Sequence, residues 1–106
     1  MAWLYLIIAG LFEVSWAVGL KLTDGWTKIV PGIFTIVFMI ASFVMLSLAT
    51  KHLPIGVAYA VWTGIGAAGT AIIAMLFLGE SVSVFKILFL LLIIIGIIGL
   101  KITSAE

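Results

Sequence analysis

Residues 3–21 read WLYLIIAGLFEVSWAVGLK, an apolar run broken by one acid, Glu13, in its middle. About 20 apolar residues rising ~1.5 Å each cover a bilayer core of ~30 Å, so the run can cross a membrane as a helix. Counted from Trp3, Glu13 then lies roughly 15 Å in, close to the midplane. An acidic side chain at that depth costs on the order of 3 kcal/mol on insertion scales. Any apolar residue would avoid that penalty, and an intramembrane ionisable residue is by default a functional site. The rest of the chain has to say which function.

Composition agrees with a membrane reading. Hydrophobic residues make up 66% of the 106-residue chain and charged residues 8%, against roughly 45–50% and about 25% in soluble globular proteins. The net charge of +1 excludes a basic nucleic-acid face and gives no strong attraction to anionic surfaces. With no cysteine there is no disulfide framework and no thiol chemistry. The N-terminus has neither a basic n-region nor a small-residue cleavage site, so no cleaved signal peptide is expected.

The cations are Lys21, Lys28, Lys51, Lys86 and Lys101, and there is no arginine. All five lie at or near the ends of apolar segments, where ammonium groups snorkel to the interface. Lys21 is about 12 Å from Glu13 along a helix. No cation is placed by sequence to neutralise Glu13 at depth, so its partner is expected to be a proton or a cation from outside.

Four apolar segments are expected as helices, at about residues 3–21, 31–50, 55–78 and 84–102, forming one four-helix transmembrane domain over residues 1–106. Thr23-Asp24-Gly25 supplies turn chemistry in the first link, and Pro31 suits the first turn of the second helix. Lys51-His52-Leu53-Pro54 and Gly79-Glu80-Ser81 break the chain at the other two links. These links are too short for an extramembrane domain. With four spans, Lys51 and Lys101 share one side, and Lys21, Lys28 and Lys86 share the other. The positive-inside rule needs asymmetry to fix an orientation. Two readings stay open: both orientations are inserted, or one weak bias suffices. In the first, an inverted pair would imitate the inverted-repeat plan of larger transporters, with a site at the midplane. Four helices are few for enclosing a polar pathway, which favours a dimer or larger assembly.

Around Glu13, positions one turn away are Ala9, Gly10, Trp16 and Ala17. Three small residues beside an acid let another helix or a ligand approach. Trp16 brings an indole N–H and a flat π face, or simply packs. On the third segment Gly56, Ala60, Gly64 and Ala68 repeat at four-residue spacing, a small-residue ridge for helix contact. Tyr59, Trp62 and Thr63 share the neighbouring face. The aromatics serve either as an interface belt or as the π lining of a cation site. Gly64, Gly66 and Gly69 permit a kink or hinge there. Ser42 either bonds back to its own i−4 carbonyl or bonds across helices. The fourth segment has no polar side chain between Val84 and Leu100; with Gly96 and Gly99 it reads as scaffold or dimer seam. No phosphate loop, metal-ligand cluster or nucleophile–base pair is present, so neither a cofactor nor an enzymatic activity is expected.

The mid-helix Glu13, the segment LPIGVAYAVWTGIGAAG (residues 53–69) and the terminal GIIGLK (residues 96–101) resemble the small multidrug resistance transporters over essentially the whole chain. Within that family the chain is similar to the guanidinium exporter branch. The points of similarity are Trp16 after Glu13, Trp62-Thr63-Gly64, Ala60, Ala67 and Lys101. The multidrug branch more often has a small residue in place of Trp16 and a tyrosine in place of Met39. Ser15 and Val18 depart from the commonest exporter pattern, and Tyr5 adds an aromatic near the entrance. The resemblance implies a multi-pass protein of a bacterial plasma (inner) membrane. It further implies an antiparallel homodimer and proton-coupled antiport, with Glu13 of both copies binding proton or substrate. Trp16 and Ser42 would orient the carboxylates, Tyr59, Trp62 and Gly10 would line the pocket, and Gly64 and Gly66 would form the hinge.

The chemistry of competition can be stated independently. A deprotonated Glu13 attracts a cation, protonation cancels the attraction, and competition with alternating exposure gives antiport. Guanidinium is planar and presents N–H donors in the fork that carboxylates accept bidentately. A pocket narrowed by Trp16 should favour it over quaternary ammonium, which has no N–H. Competing expectations are a multidrug exporter of hydrophobic quaternary ammonium cations, a dual-topology ion channel, and a proton-carrying rotor subunit.

Overall fold

A computed structural model describes residues 1–104. Its four helices are α1 (Ala2–Leu22), α2 (Ile29–Ala49), α3 (Ile55–Phe77) and α4 (Val84–Thr103). Each is long and apolar enough to cross a membrane, and the described residues contain no strand. α2 starts at Ile29, two residues before the sequence expectation, and Pro31 falls inside the first turn. The first four N–H groups of a helix have no intrahelical acceptor, so proline there forfeits no bond.

Local chemistry sets the ends. Thr23 is buried; its hydroxyl donates to the Leu20 carbonyl at 2.8 Å and accepts from the Trp26 N–H at 3.2 Å. Asp24, Gly25 and Trp26 all take positive φ (50°, 70° and 68°), which reverses the chain within the link. Gly79 (φ +76°) turns the α3 exit so that the Glu80 N–H donates back to the Ala74 carbonyl at 3.1 Å. Ser83 caps α4, its hydroxyl accepting from the Lys86 N–H.

The helices lie side by side in the order α2, α1, α3, α4: α1 packs on both α2 and α3, while α4 has backbone neighbours only in α3. The result is a slab of 44 × 34 × 16 Å, thin in one direction. No residue of α4 is buried. Its Lys101 ammonium instead reaches over the Trp3 ring of α1, 4.8 Å from the centroid.

The main buried cluster lies toward one end. Leu6 and Ala9 of α1, Ala49 of α2, Leu53 of the link, and Ala58, Val61 and Trp62 of α3 form one buried cluster. Past it, glycines carry the α1–α3 crossing. A Cβ on Gly10 would lie 2.6 Å from Ile65 Cγ2, and one on Gly69 equally close to Val14 Cγ2. Such close approach of backbones is the usual means of helix association in lipid. Beyond the crossing α1 and α3 leave an open cleft.

Candidate functional site

Glu13 stands where the core ends and the cleft begins. Its carboxyl group rests on Gly66 so closely that a Cβ at that position would coincide with it. Oε1 is buried and has no hydrogen-bond partner among the described residues. The cleft encloses about 330 Å³. Ala17 of α1 forms one side with Glu13; Thr63, Ala67, Thr70 and Ala74 form the other, at the three- and four-residue spacing of one helix face. Glu80 borders the far end. The described residues contain no group of side chains able to hold a metal ion.

A second constellation runs beside the acid. The Trp62 indole N–H donates to Ser42 Oγ at 2.9 Å, and Ser42 donates to the Ala9 carbonyl at 2.7 Å. Three helices are joined by this buried relay. Ser42 thus bonds across helices rather than to its own i−4 carbonyl. An aromatic chain continues from it: Tyr59 to Trp62 (5.5 Å between centroids), Trp62 to Phe43 (5.8 Å) and Phe43 to Trp16 (6.3 Å). Tyr59 and Phe43 are exposed. The Trp16 indole N–H is buried without a partner among the described residues.

Several residues expected at the site sit differently within one chain. Ser42 spends its hydroxyl on Ala9 and Trp62, so neither it nor Trp16 bonds the Glu13 carboxyl group. Gly10 lies at the helix crossing against Ile65, not on the cleft wall. Gly64 faces Ile97 and Ile93 of α4, and Gly66 is the seat of the carboxyl group. Both lie in an α3 that is helical throughout. Of the small-residue ridge, Gly56 and Ala60 are exposed, and nothing lies within 4 Å of a Cβ on Gly56. Phe43, Thr70 and Glu80 were missed. Phe43 follows Ser42 directly, but which face of α2 meets α3 is a packing outcome. Glu80 reads as plain loop until Gly79 folds it back on Ala74.

Four membrane-crossing helices, with one acid at mid-span opening on a cleft, define a small multi-pass membrane protein of the transport class. The profile of the Small Multidrug Resistance protein family matches residues 1–93, and the chain belongs to that family. Among curated relatives it is 58% identical to a guanidinium exporter of Yersinia pestis over 104 residues, 98% of this chain and 100% of the relative. It is 58% identical to one of Salmonella typhimurium (98% and 99% covered) and 55% identical to one of Proteus vulgaris (98% and 100%). The family and these bacterial relatives make it a multi-pass protein of a bacterial inner membrane.

Proposed function

We propose that this chain is a proton-coupled antiporter that exports guanidinium and small substituted guanidinium cations. Glu13 would bind either cation or proton, and the working unit would be an antiparallel homodimer. The observation that carries the reading is the Glu13 carboxyl group itself. It lies at the floor of an open cleft, and among the described residues Oε1 has no partner and no lysine falls within ion-pair distance of it. Such a group lacks a counter-charge that a guanidinium fork can supply. The names of the relatives supply the ion.

The dimer is supported by what one chain leaves uncovered. α4 has no buried residue, the cleft is open along the exposed Thr63 and Ala67, and the aromatic chain ends on exposed Tyr59 and Phe43. A second copy across this face would roof the cleft. The near-even lysine distribution fits insertion in both orientations. Gly64 and Gly66, inside α3 at the level of the acid, are the points where the helix could flex to change the cleft's exposure.

The test is guanidinium current from purified protein in liposomes on a solid-supported membrane. Glu13→Gln should bring pH-driven current to background; retained exchange would overturn the role of Glu13. With Glu13 intact, apparent guanidinium affinity should fall as pH is lowered, by about tenfold per unit for each proton that competes. The sign follows from competition: protonation removes the negative charge that holds the cation. Current with tetraalkylammonium ions and none with guanidinium would move the protein to the multidrug branch.

A further inference from the structure

The cleft does not end at Glu13. From Gly66, the seat of the acid, to Ala74 it follows α3 for eight residues, about 12 Å, and there it meets the second carboxylate, Glu80. The fold holds Glu80 at this place: Gly79 adopts φ +76°, and the Glu80 N–H donates to the Ala74 carbonyl. The nearby cation is engaged elsewhere. Lys86 Nζ donates to both the carbonyl and the hydroxyl of Ser81, each at 2.9 Å, and among the described residues Glu80 has no ion pair.

Between the two acids stands Thr70. Thr63, two turns earlier on the same face, donates its hydroxyl to the Tyr59 carbonyl at 2.7 Å, as helix threonines ordinarily do. Thr70 makes no such bond: its Oγ1 is buried and has no partner among the described residues, although the side chain lines the cleft. No hydrogen bond holds this hydroxyl, so a turn about χ1 can offer its oxygen to the cleft.

We infer that Glu80 and the Thr70 hydroxyl form an outer binding station for the guanidinium-type cation, one cleft length from Glu13. This rests on the export reading above and adds to it a recruiting site. The Glu80 carboxylate concentrates the cation at the mouth by charge. Thr70 accepts one of its N–H groups in passage to Glu13. In a dimer of inverted copies, each membrane face would carry one such mouth.

The experiment compares Glu80→Gln, Glu80→Asp, Thr70→Val and Thr70→Ser with the unsubstituted chain in the same liposome assay, reading guanidinium KM and maximal current separately. Glu80→Gln should raise KM about threefold to tenfold at low ionic strength with maximal current unchanged, and the difference should vanish near ~0.5 M salt, where screening is strong. Glu80→Asp should restore most of the affinity. Thr70→Val should raise KM by about threefold to tenfold at all salt concentrations, the ratio that one hydrogen bond's net contribution gives, and Thr70→Ser should recover it. An unchanged KM in Glu80→Gln, or a loss of maximal current that Glu80→Asp does not recover, would overturn the outer station while leaving Glu13 export intact. Absence of guanidinium current from the unsubstituted chain would overturn the export reading, and the station with it.

Discussion

Gly66 is the residue on which the position of Glu13 depends. A Cβ there would occupy the place of the carboxyl group, and a carboxyl at the end of a flexible side chain yields more readily than backbone. Gly66→Ala should therefore fold, since alanine favours helix over glycine by about 1 kcal/mol, but carry a displaced acid. Misplacing a reacting group by about 1 Å can cost on the order of 10²-fold in rate. A drop of that size in guanidinium current, with thermal stability in detergent retained, is expected; normal current would show that the seat is unimportant. Ser42 predicts the opposite pattern. Ser42→Ala strands the buried Trp62 indole N–H, which costs about 1–3 kcal/mol. Thermal unfolding in detergent should show the loss, and pairing it with Trp62→Phe should cost less than the two separate losses together. At this scale Glu13 was legible, because a charge at mid-span is expensive wherever it points. The Ser42 relay was legible only as one of two options. The group it donates to is a backbone carbonyl on another helix, which no side-chain pattern encodes.

The helices themselves could be read because each is a bilayer-length apolar run ended by glycine, proline or turn residues. The shift of the α2 start from Pro31 to Ile29 reflects a rule that is silent about the exact position of proline within the first turn. Helix order was less visible. An apolar helix surrounded by lipid has no polar stripe to mark its inner face, so nothing in α4 announced that its backbone would lie beside α3 and not beside α1 or α2. Its glycines now carry a prediction. A Cβ on Gly96 or Gly99 would meet nothing within 4 Å in the chain, so Gly96→Trp should leave the protomer's helix content unchanged by circular dichroism. If α4 is the dimer seam, the same substitution should abolish Förster transfer between labelled copies in liposomes. Undiminished transfer would place the seam elsewhere.

For the whole molecule, the shape and the lysines point the same way. A slab 16 Å thick cannot surround a polar path, whereas two slabs face to face can. On the proposed pairing, lysine placement would decide how the second slab enters the membrane. Lys51 and Lys101 stand at the side opposite Lys21, Lys28 and Lys86, and on the proposed inverted pairing so small a difference would leave insertion free to take either direction. The consequence can be tested by biasing the chain. His52→Lys with Thr103→Lys and Lys28→Gln loads one side; Asp24→Lys with Thr27→Lys loads the other. None of these positions lines the cleft. Each biased form expressed alone should insert one way and lose guanidinium transport, for want of an inverted copy. Expressed together they should supply each other's missing orientation and recover it. Full transport by either form alone would mean that the cleft is roofed by a parallel copy, and the inverted pairing would have to be given up.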